Sequence, residues 1–496
     1  MCVAAIDFSA INKSVIGVSA LSTSSAPSSP QFHLSLVGTS KTDAKVVDYT
    51  VDWITSADVT NSQLIYGTSA DAMATQVDAK LGGLVEESKG ESVKCWSAVV
   101  RNVAPGTTIF YALADNAAAA GSSAPNSFTV PKDTFTWAVF GDIGAPMQKQ
   151  ASGVALPALK NALEKDKAYH GILNIGDLGY ELVGANGKNY MDEFESITSK
   201  VPMQTTVGNH EYQYGAAPDF ALRNYYRRFA GLTLGAGTVS GSYSNEFYSF
   251  KSGLVHFAVI NTEVYGDEAF VALQADGVTW KADEDARKTV GSAQATWLAY
   301  DLSRVDRSVT PYIIVCGHRP PFKTPGPLSA PNNRFTKEII PVMSKYQVDL
   351  YLAGHEHTYL VFDASVVDGF NVPPIIISGS PGNNEFIREE KDLKIVGFKW
   401  KTLIPKYGYG YLTATEDQLN WQWGTAASDG THSPKSMMWE LQDEMTFPRQ
   451  KSFAPSTPEG TPIKTPSDLA DVWSGSQTNG TWIYRAPMAL NDLAVV

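Results

Sequence analysis

Cysteine is nearly missing from this sequence. The 496-residue chain has three, Cys2, Cys95 and Cys316, far apart and without a Cys-x-x-Cys pair. Neither a disulfide scaffold nor a thiolate zinc site can be built from such a set. Charge is also sparse: Asp, Glu, Lys and Arg make up 18% of the chain, against a usual share of about 25%. What charge there is runs acidic, with a formal net of −12. Such a chain repels phosphate backbones, so general nucleic-acid binding is not expected, and any phosphate must be held locally by metals or a few basic groups. No apolar run reaches the ~18 residues of a spanning helix, so no membrane span is expected. The N-terminus offers one cation, Lys13, ahead of a weak run from Ser14 to Leu21, which makes a poor secretory leader. The sequons at Asn12 and Asn479 are too few to fix a compartment.

What is present is globular. Apolar residues reach 43% and aromatics 11%, which excludes wholesale disorder. At about 150 residues per domain, the length suits two or three units. Residues 1–31 read as a disordered leader and linker ending in STSSAPSSPQ. Residues 32–132 carry short alternating strands without helices (HLSLVG, VVDYTVDWIT, SQLIYGT, VKCWSAVV, TIFYALA), the texture of an antiparallel β-sandwich. From 134 to 425 apolar strands alternate with helical stretches such as 155–169 and 332–346, as in a layered α/β domain. Residues 426–496 read as an irregular C-terminal extension, with Trp439 or Trp473 expected to anchor it across the domain junction.

Inside the α/β region an apolar strand runs five times into glycine and then a metal-competent side chain. FTWAVF ends in Gly141-Asp142, and GILNI in Gly176-Asp177 with Tyr180 three residues on. MQTTV ends in Gly208-Asn209-His210, PYIIVC in Gly317-His318, and VDLYLA in Gly354-His355-Glu356-His357. Strands buried on both faces read as continuous apolar runs, and ligands gather at their carboxyl ends. Glycine lets the chain turn sharply there, so that the next side chain faces a shared cleft. Any one of these motifs alone is more often a turn or a core histidine. Together they offer more donors than one ion can use. Two ions sharing a carboxylate can use them, which is the arrangement for phosphoester hydrolysis.

GDIG (141–144), GDLGY (176–180), GNHE (208–211), VCGH (315–318) and GHEH (354–357) resemble the five blocks of the metallophosphoesterase superfamily, and within it the purple acid phosphatases. The generic superfamily has a histidine two residues after the first aspartate, where this chain has Gly144. The purple branch has instead a tyrosine three residues after the second, here Tyr180. The resemblance implies a metallophosphoesterase domain, a β-sandwich core flanked by helices, preceded by a fibronectin type III-like all-β domain. It implies Fe(III) held by Asp142, Asp177, Tyr180 and His357. A second divalent ion (Zn, Mn or Fe) would be held by Asp177, Asn209, His318 and His355, with Asp177 as the bridge. Phenolate and carboxylates suit the ferric ion, imidazoles and an amide the divalent one. The implied activity is acid hydrolysis of small phosphomonoesters by a metal-bound hydroxide, with His210 contacting the phosphate and protonating the leaving group. The same site admits diesters or nucleotide pyrophosphates, and a non-catalytic member is the alternative from another class. Family members are mostly secreted or vacuolar, and a homodimer is left open.

The chain departs from plant-type members after VCGH, where RPPFKTPGPLSAPNNRF has none of their further histidines. Arg319 or Lys323 could supply the positive contact, or be merely solvated. Tyr359 is kept after the last block, but Leu360 and Val361 follow it. Glu211 reads as a partner for a ligand imidazole or as an idle loop acid. Arg223, Arg227 and Arg228 read as a solvated helix face with Tyr226 and Phe229 inward, Cys316 as a small core residue, and Trp421 and Trp423 as ordinary strand packing.

Overall fold

The computed structural model describes residues 27, 29–39, 46–88, 91–114, 124–132, 134–144, 155–166, 168–212, 221–265, 271–273, 280–282, 284–321, 333–382, 389–392, 400–427 and 438–449. Asn12, Lys323, Trp473, Asn479, nearly all of the leader and most of the C-terminal extension lie outside the described residues.

The N-terminal strands form two four-stranded antiparallel sheets. One runs in the order His33–Thr39, Val47–Ser56, Glu91–Val103, Lys80–Ser88. The other runs Thr75–Asp78, Gln63–Gly67, Thr108–Leu113, Asn126–Thr129. Their facing aromatics meet: the rings of Tyr49 and Phe128 are 4.7 Å apart, those of Phe32 and Tyr111 5.4 Å.

Two larger sheets carry the candidate site. The six-stranded sheet runs Met203–Thr205, Gly171–Asn174, Trp137–Phe140, Gly408–Ala414, Gln418–Ala427, Met438–Pro448. Its first three strands are parallel and the others antiparallel. The last strand lies within the stretch read from sequence as an irregular extension. It pairs with the Trp421/Trp423 strand from Gln418↔Pro448 to Ala427↔Met438. Trp439 stands on it, its indole donating to the Tyr409 carbonyl, so it anchors a sheet and not a domain junction.

The seven-stranded sheet runs Tyr248–Ser252, Val255–Val259, Tyr312–Cys316, Leu350–Ala353, Ile375–Ser378, Tyr359–Phe362, Thr402–Ile404. YIIVC, LYLA and IIIS are wholly buried, as parallel strands covered on both faces must be. The two sheets face each other. Trp137 meets Phe250 and Phe257 at 5.4 and 5.6 Å, and Tyr359 stacks on Trp423 at 4.5 Å. An aromatic pair of this kind contributes about 0.5–1.5 kcal/mol beyond its buried area. Tyr359 also donates to Asp443, so in this chain it is a packing residue. Helices cover the outer faces: Gly184–Thr198 lays Phe194 against Phe140, and Glu284–Ser303 bonds to the other sheet through Asp301, which accepts from Ser249 and His256.

The first strand is stitched to the six-stranded sheet. Leu34 bridges Pro202, and the Gln204 amide exchanges hydrogen bonds with the Leu36 backbone at 2.9 and 3.0 Å. Arg228 departs from its reading as a solvated residue. It is 1% exposed and donates to Gln31 (2.8 Å) and Glu87 (3.4 Å), while its carbonyl meets His33 Nε2. A helix face that looks polar in isolation is here pressed against the N-terminal strands.

Candidate metal centre

All five glycine turns meet at the carboxyl ends of the parallel strands. Asp142 Oδ1 lies 3.5 Å from His357 Nε2 and 3.9 Å from His318 Nε2, and the Tyr180 hydroxyl lies 2.9 Å from His357 Nε2. On the other side, His318 Nε2 is 3.2 Å from both Asp177 Oδ2 and Asn209 Oδ1. Asp177, His318 and His355 each offer a ligand atom within 4.8 Å of the others. The structure thus brings together every residue singled out from the strand ends, and His210 joins them with Nε2 4.0 Å from Asp177 Oδ2.

The glycines are there because nothing larger fits. A Cβ on Gly208 would sit 2.2 Å from Asp177 Oδ1, and one on Gly354 2.5 Å from Asp142 Oδ2. The side chains that follow are held in the left-handed region: φ is 62° at Asp142, 50° at Asp177, 48° at Tyr180, 69° at Glu181 and 68° at His355. Each such residue costs about 1–2 kcal/mol, and clustered backbone strain of this kind marks functional sites. Backbone hydrogen bonds hold the arrangement. The Asp177, Leu178 and Gly208 amides donate to the Glu211 carboxylate at 2.8–2.9 Å. Glu211 is therefore neither idle nor a partner of a ligand imidazole: it ties the second turn to the third. The His355 amide donates to Asp142 Oδ2, and the His210 amide to Asp177 Oδ1.

The electrostatics are those of a centre lacking positive charge. Asp142 is fully buried, and its Oδ1 has no hydrogen-bond partner among the described residues. Burial raises its carboxyl above the usual range, against the pull of His318 and His357. Burial acts the same way on Asp177, but His318 and His210 outweigh it and hold that carboxyl well below the usual range. Burial opposes protonation of His318 too, yet Asp177 and Asp142 lift it to about 10. A proton is the smallest cation available to such a cluster. His355 goes the other way, kept neutral by burial and by Arg319 and His318.

The donor set fits metal ions. The Ile175 carbonyl accepts from His318 Nδ1 at 2.8 Å, fixing the tautomer that turns the Nε2 lone pair inward. Carboxylates, a phenol, an amide and imidazoles are oxygen and nitrogen donors for hard or borderline ions. The buried cysteines take no part: Cys316 packs in the core, as read from sequence.

Three further residues belong to the site. Glu181 Oε1 lies 3.2 Å from His210 Nδ1. Arg319 is no solvated cation: its Nε donates to Glu263 at 2.8 Å and its Nη1 lies 3.0 Å from His355 Nε2. Glu263 follows the strand Val255–Val259, which ends in Asn261-Thr262-Glu263. That is a sixth strand end of the same kind. Its apolar run HFAVI carries the signal in the sequence, without the glycine that marks the other five.

Residues 135–359 match the calcineurin-like phosphoesterase family. The probable inactive purple acid phosphatase 9 of Arabidopsis thaliana is 32% identical over 39% of this chain and 30% of its own length. Acid phosphatase type 7 of Homo sapiens is 27% identical over 62% of this chain and 68% of its own. A purple acid phosphatase from yellow lupin seeds superposes with a TM-score of 0.59 at 17% identity, covering 87% of this chain and 77% of the lupin chain. At that identity the likeness is one of fold.

Proposed function

We propose, for a chain that belongs to the purple acid phosphatase family of calcineurin-like phosphoesterases, that it hydrolyses small phosphomonoesters at a di-metal centre. The observation that carries this is the buried, unpartnered Asp142 Oδ1 facing two imidazole nitrogens, beside the second cluster around Asp177. Asp142, Asp177, Tyr180 and His357 would hold Fe(III). Asp177, Asn209, His318 and His355 would hold a divalent Zn, Mn or Fe ion. When bound, the two cations supply Lewis acidity, acidifying water and offsetting charge on the phosphoryl oxygens.

The chain's own groups do the rest. Asp177 would be shared by the two ions; the Glu211 tie keeps its turn in place while the fourth strand end delivers His318 with Nδ1 bonded to the Ile175 carbonyl. His210 holds the proton for the leaving alkoxide. Burial works against its charge, and the Asp177 and Glu181 carboxylates favour it. Glu181 orients its ring. The N-terminal sheets serve as a fibronectin type III-like unit bracing the six-stranded sheet, a role supported by the Leu34–Leu36 stitching.

The name of the plant relative favours a second reading, a non-catalytic family member. The intact ligand set argues against it, since a chain released from catalysis would be free to lose any of the seven. Metal analysis and a panel of aryl mono- and diesters at pH 5 decide between them. A purple protein with iron and monoester turnover is expected, and Tyr180→Phe abolishes its visible band. A colourless, iron-free protein would sink the ferric assignment. Hydrolysis of diesters alone would make it a phosphodiesterase.

A further inference from the structure

Glu246 is a buried acid that the proposed chemistry does not use. It is fully enclosed, and its carboxylate accepts from the Tyr212 hydroxyl (2.9 Å), the Tyr226 hydroxyl and Asn261 Nδ2 (2.5 Å). All three are neutral donors, and no cationic side chain among the described residues pairs with it. Burial pushes the carboxyl up to about 8, against the pull of Tyr212 and Asn261. Were packing its only task, an apolar side chain would cost less to bury. Perturbed acids of this kind cluster at functional sites.

Its partners say what it holds. Tyr212 closes the helical turn Asn209–Tyr212, from which the candidate ligand Asn209 and His210 project. Glu211 fastens that turn on one side, to the second strand end. Tyr212 fastens it on the other, to Glu246. Asn261 stands at the sixth strand end, where its Nδ2 also reaches the Tyr212 hydroxyl (2.6 Å) and its Oδ1 accepts from the Glu263 amide (2.9 Å). Gln294, on the helix Glu284–Ser303, holds the Asn261 backbone at 2.7 and 3.0 Å. The third strand end leaves the six-stranded sheet, and the sixth leaves the seven-stranded one. One carboxylate therefore joins the two sheets beside the candidate metal centre.

We propose that Glu246 is a positioning residue which, through Tyr212 and braced by Asn261, holds the Asn209–Tyr212 turn so that Asn209 can serve the divalent ion. This rests on the di-metal reading above. Asp142, Tyr180 and His357 come from other strand ends, so the ferric side does not depend on this tie.

The test compares wild type with Glu246→Leu, Glu246→Gln, Tyr212→Phe and the double variant Glu246→Leu/Tyr212→Phe. It measures zinc binding to the metal-stripped protein, kcat and the visible band of the metal-loaded protein, and backbone hydrogen exchange in the stripped protein. Glu246→Leu should weaken zinc binding about tenfold and lower kcat by a similar factor, with the visible band kept. Tyr212→Phe should do the same, and the double variant should be no worse than either single one, because both break one path. Glu246→Gln keeps an acceptor for Tyr212 and Asn261 and should recover most of the loss. In the stripped protein, the Gly208 and His210 amides should exchange faster in Glu246→Leu, while those of the strand Tyr312–Cys316 keep their protection. Unchanged zinc affinity, losses that add in the double variant, or exchange quickened equally in both segments would each overturn the proposal. If Glu246→Leu does not fold, Tyr212→Phe and Glu246→Gln carry the same readings. A wild type that binds no pair of metals defeats the di-metal reading instead, and exchange at Gly208 and His210 still decides whether Glu246 holds the turn.

Discussion

Two regions of this molecule bury charge, and they do so in opposite ways. Around Arg228 the formal charges pair within the chain: the guanidinium meets Glu87, Gln31 bridges to Glu87 and Asp192, and Asp52 faces His33. Around Asp142 and Asp177 two buried carboxylates, imidazoles, an amide and a phenol converge on one another at 2.9–3.9 Å, with no arginine or lysine against either carboxylate among the described residues. Taking charge out of water is costly in both places. In the first the chain offsets the cost itself, and the result is architecture. In the second the donors are titratable imidazoles and not fixed cations, which is the chemistry of a ligand site.

The largest break in this contrast is Asp177→Asn. It removes the shared carboxylate and should lower monoester turnover by roughly a thousandfold or more. Metal content should fall with it while the melting temperature holds, because a buried charge near Asp142 and Glu211 has gone. Arg228→Met should do the reverse. Leaving Glu87 buried without its cation should cost about 3–5 kcal/mol of stability with kcat unchanged. Adding Glu87→Leu should restore most of that loss, as measured by denaturant unfolding. If Arg228→Met instead silences the enzyme without destabilising it, the two regions are not separable.

Gly208→Ala is a subtler probe, since its Cβ would meet Asp177 Oδ1 at 2.2 Å. Pushing one ligand off its position should weaken metal binding by about 10–100-fold, read by calorimetry on the stripped protein. The smallest effect expected is on pH. His170, half-buried and accepting from the Thr136 amide through Nδ1, is held below its ordinary 6.5 by burial. Its folded value is depressed, so the unfolded chain binds the proton more readily. Its stabilising contribution is complete above 6.5 and is lost as the pH falls through the folded value. His170→Gln should flatten that acid-side loss by less than about 1 kcal/mol.

The sequence revealed the centre because each of its pieces is local. An apolar run, a glycine and a ligand occupy a few consecutive residues, and the parallel sheet does the converging. Tyr180 was legible for the same reason, three residues from its aspartate. What could not be read was pairing at a distance. Arg228 looked solvated because helical periodicity does not see a second unit 141 positions away in the chain. Arg319 looked undecided because Glu263 and His355 come from different strand ends. Glu211 read as an imidazole partner or an idle acid because its actual partners are backbone amides, which carry no sequence signal. Met438–Pro448 looked irregular because its alternation breaks between Leu441 and Asp443, where the pairing with the neighbouring strand shifts register.

That last strand has a consequence for how copies of the molecule meet. It ends the six-stranded sheet among the described residues, and such an edge invites another strand to pair. Glu440 and Glu444 stand exposed on it, and it ends in Pro448. Two copies brought edge to edge would set these acids against one another, and proline has no amide to donate. Like charge and a missing donor both disfavour pairing of two such edges.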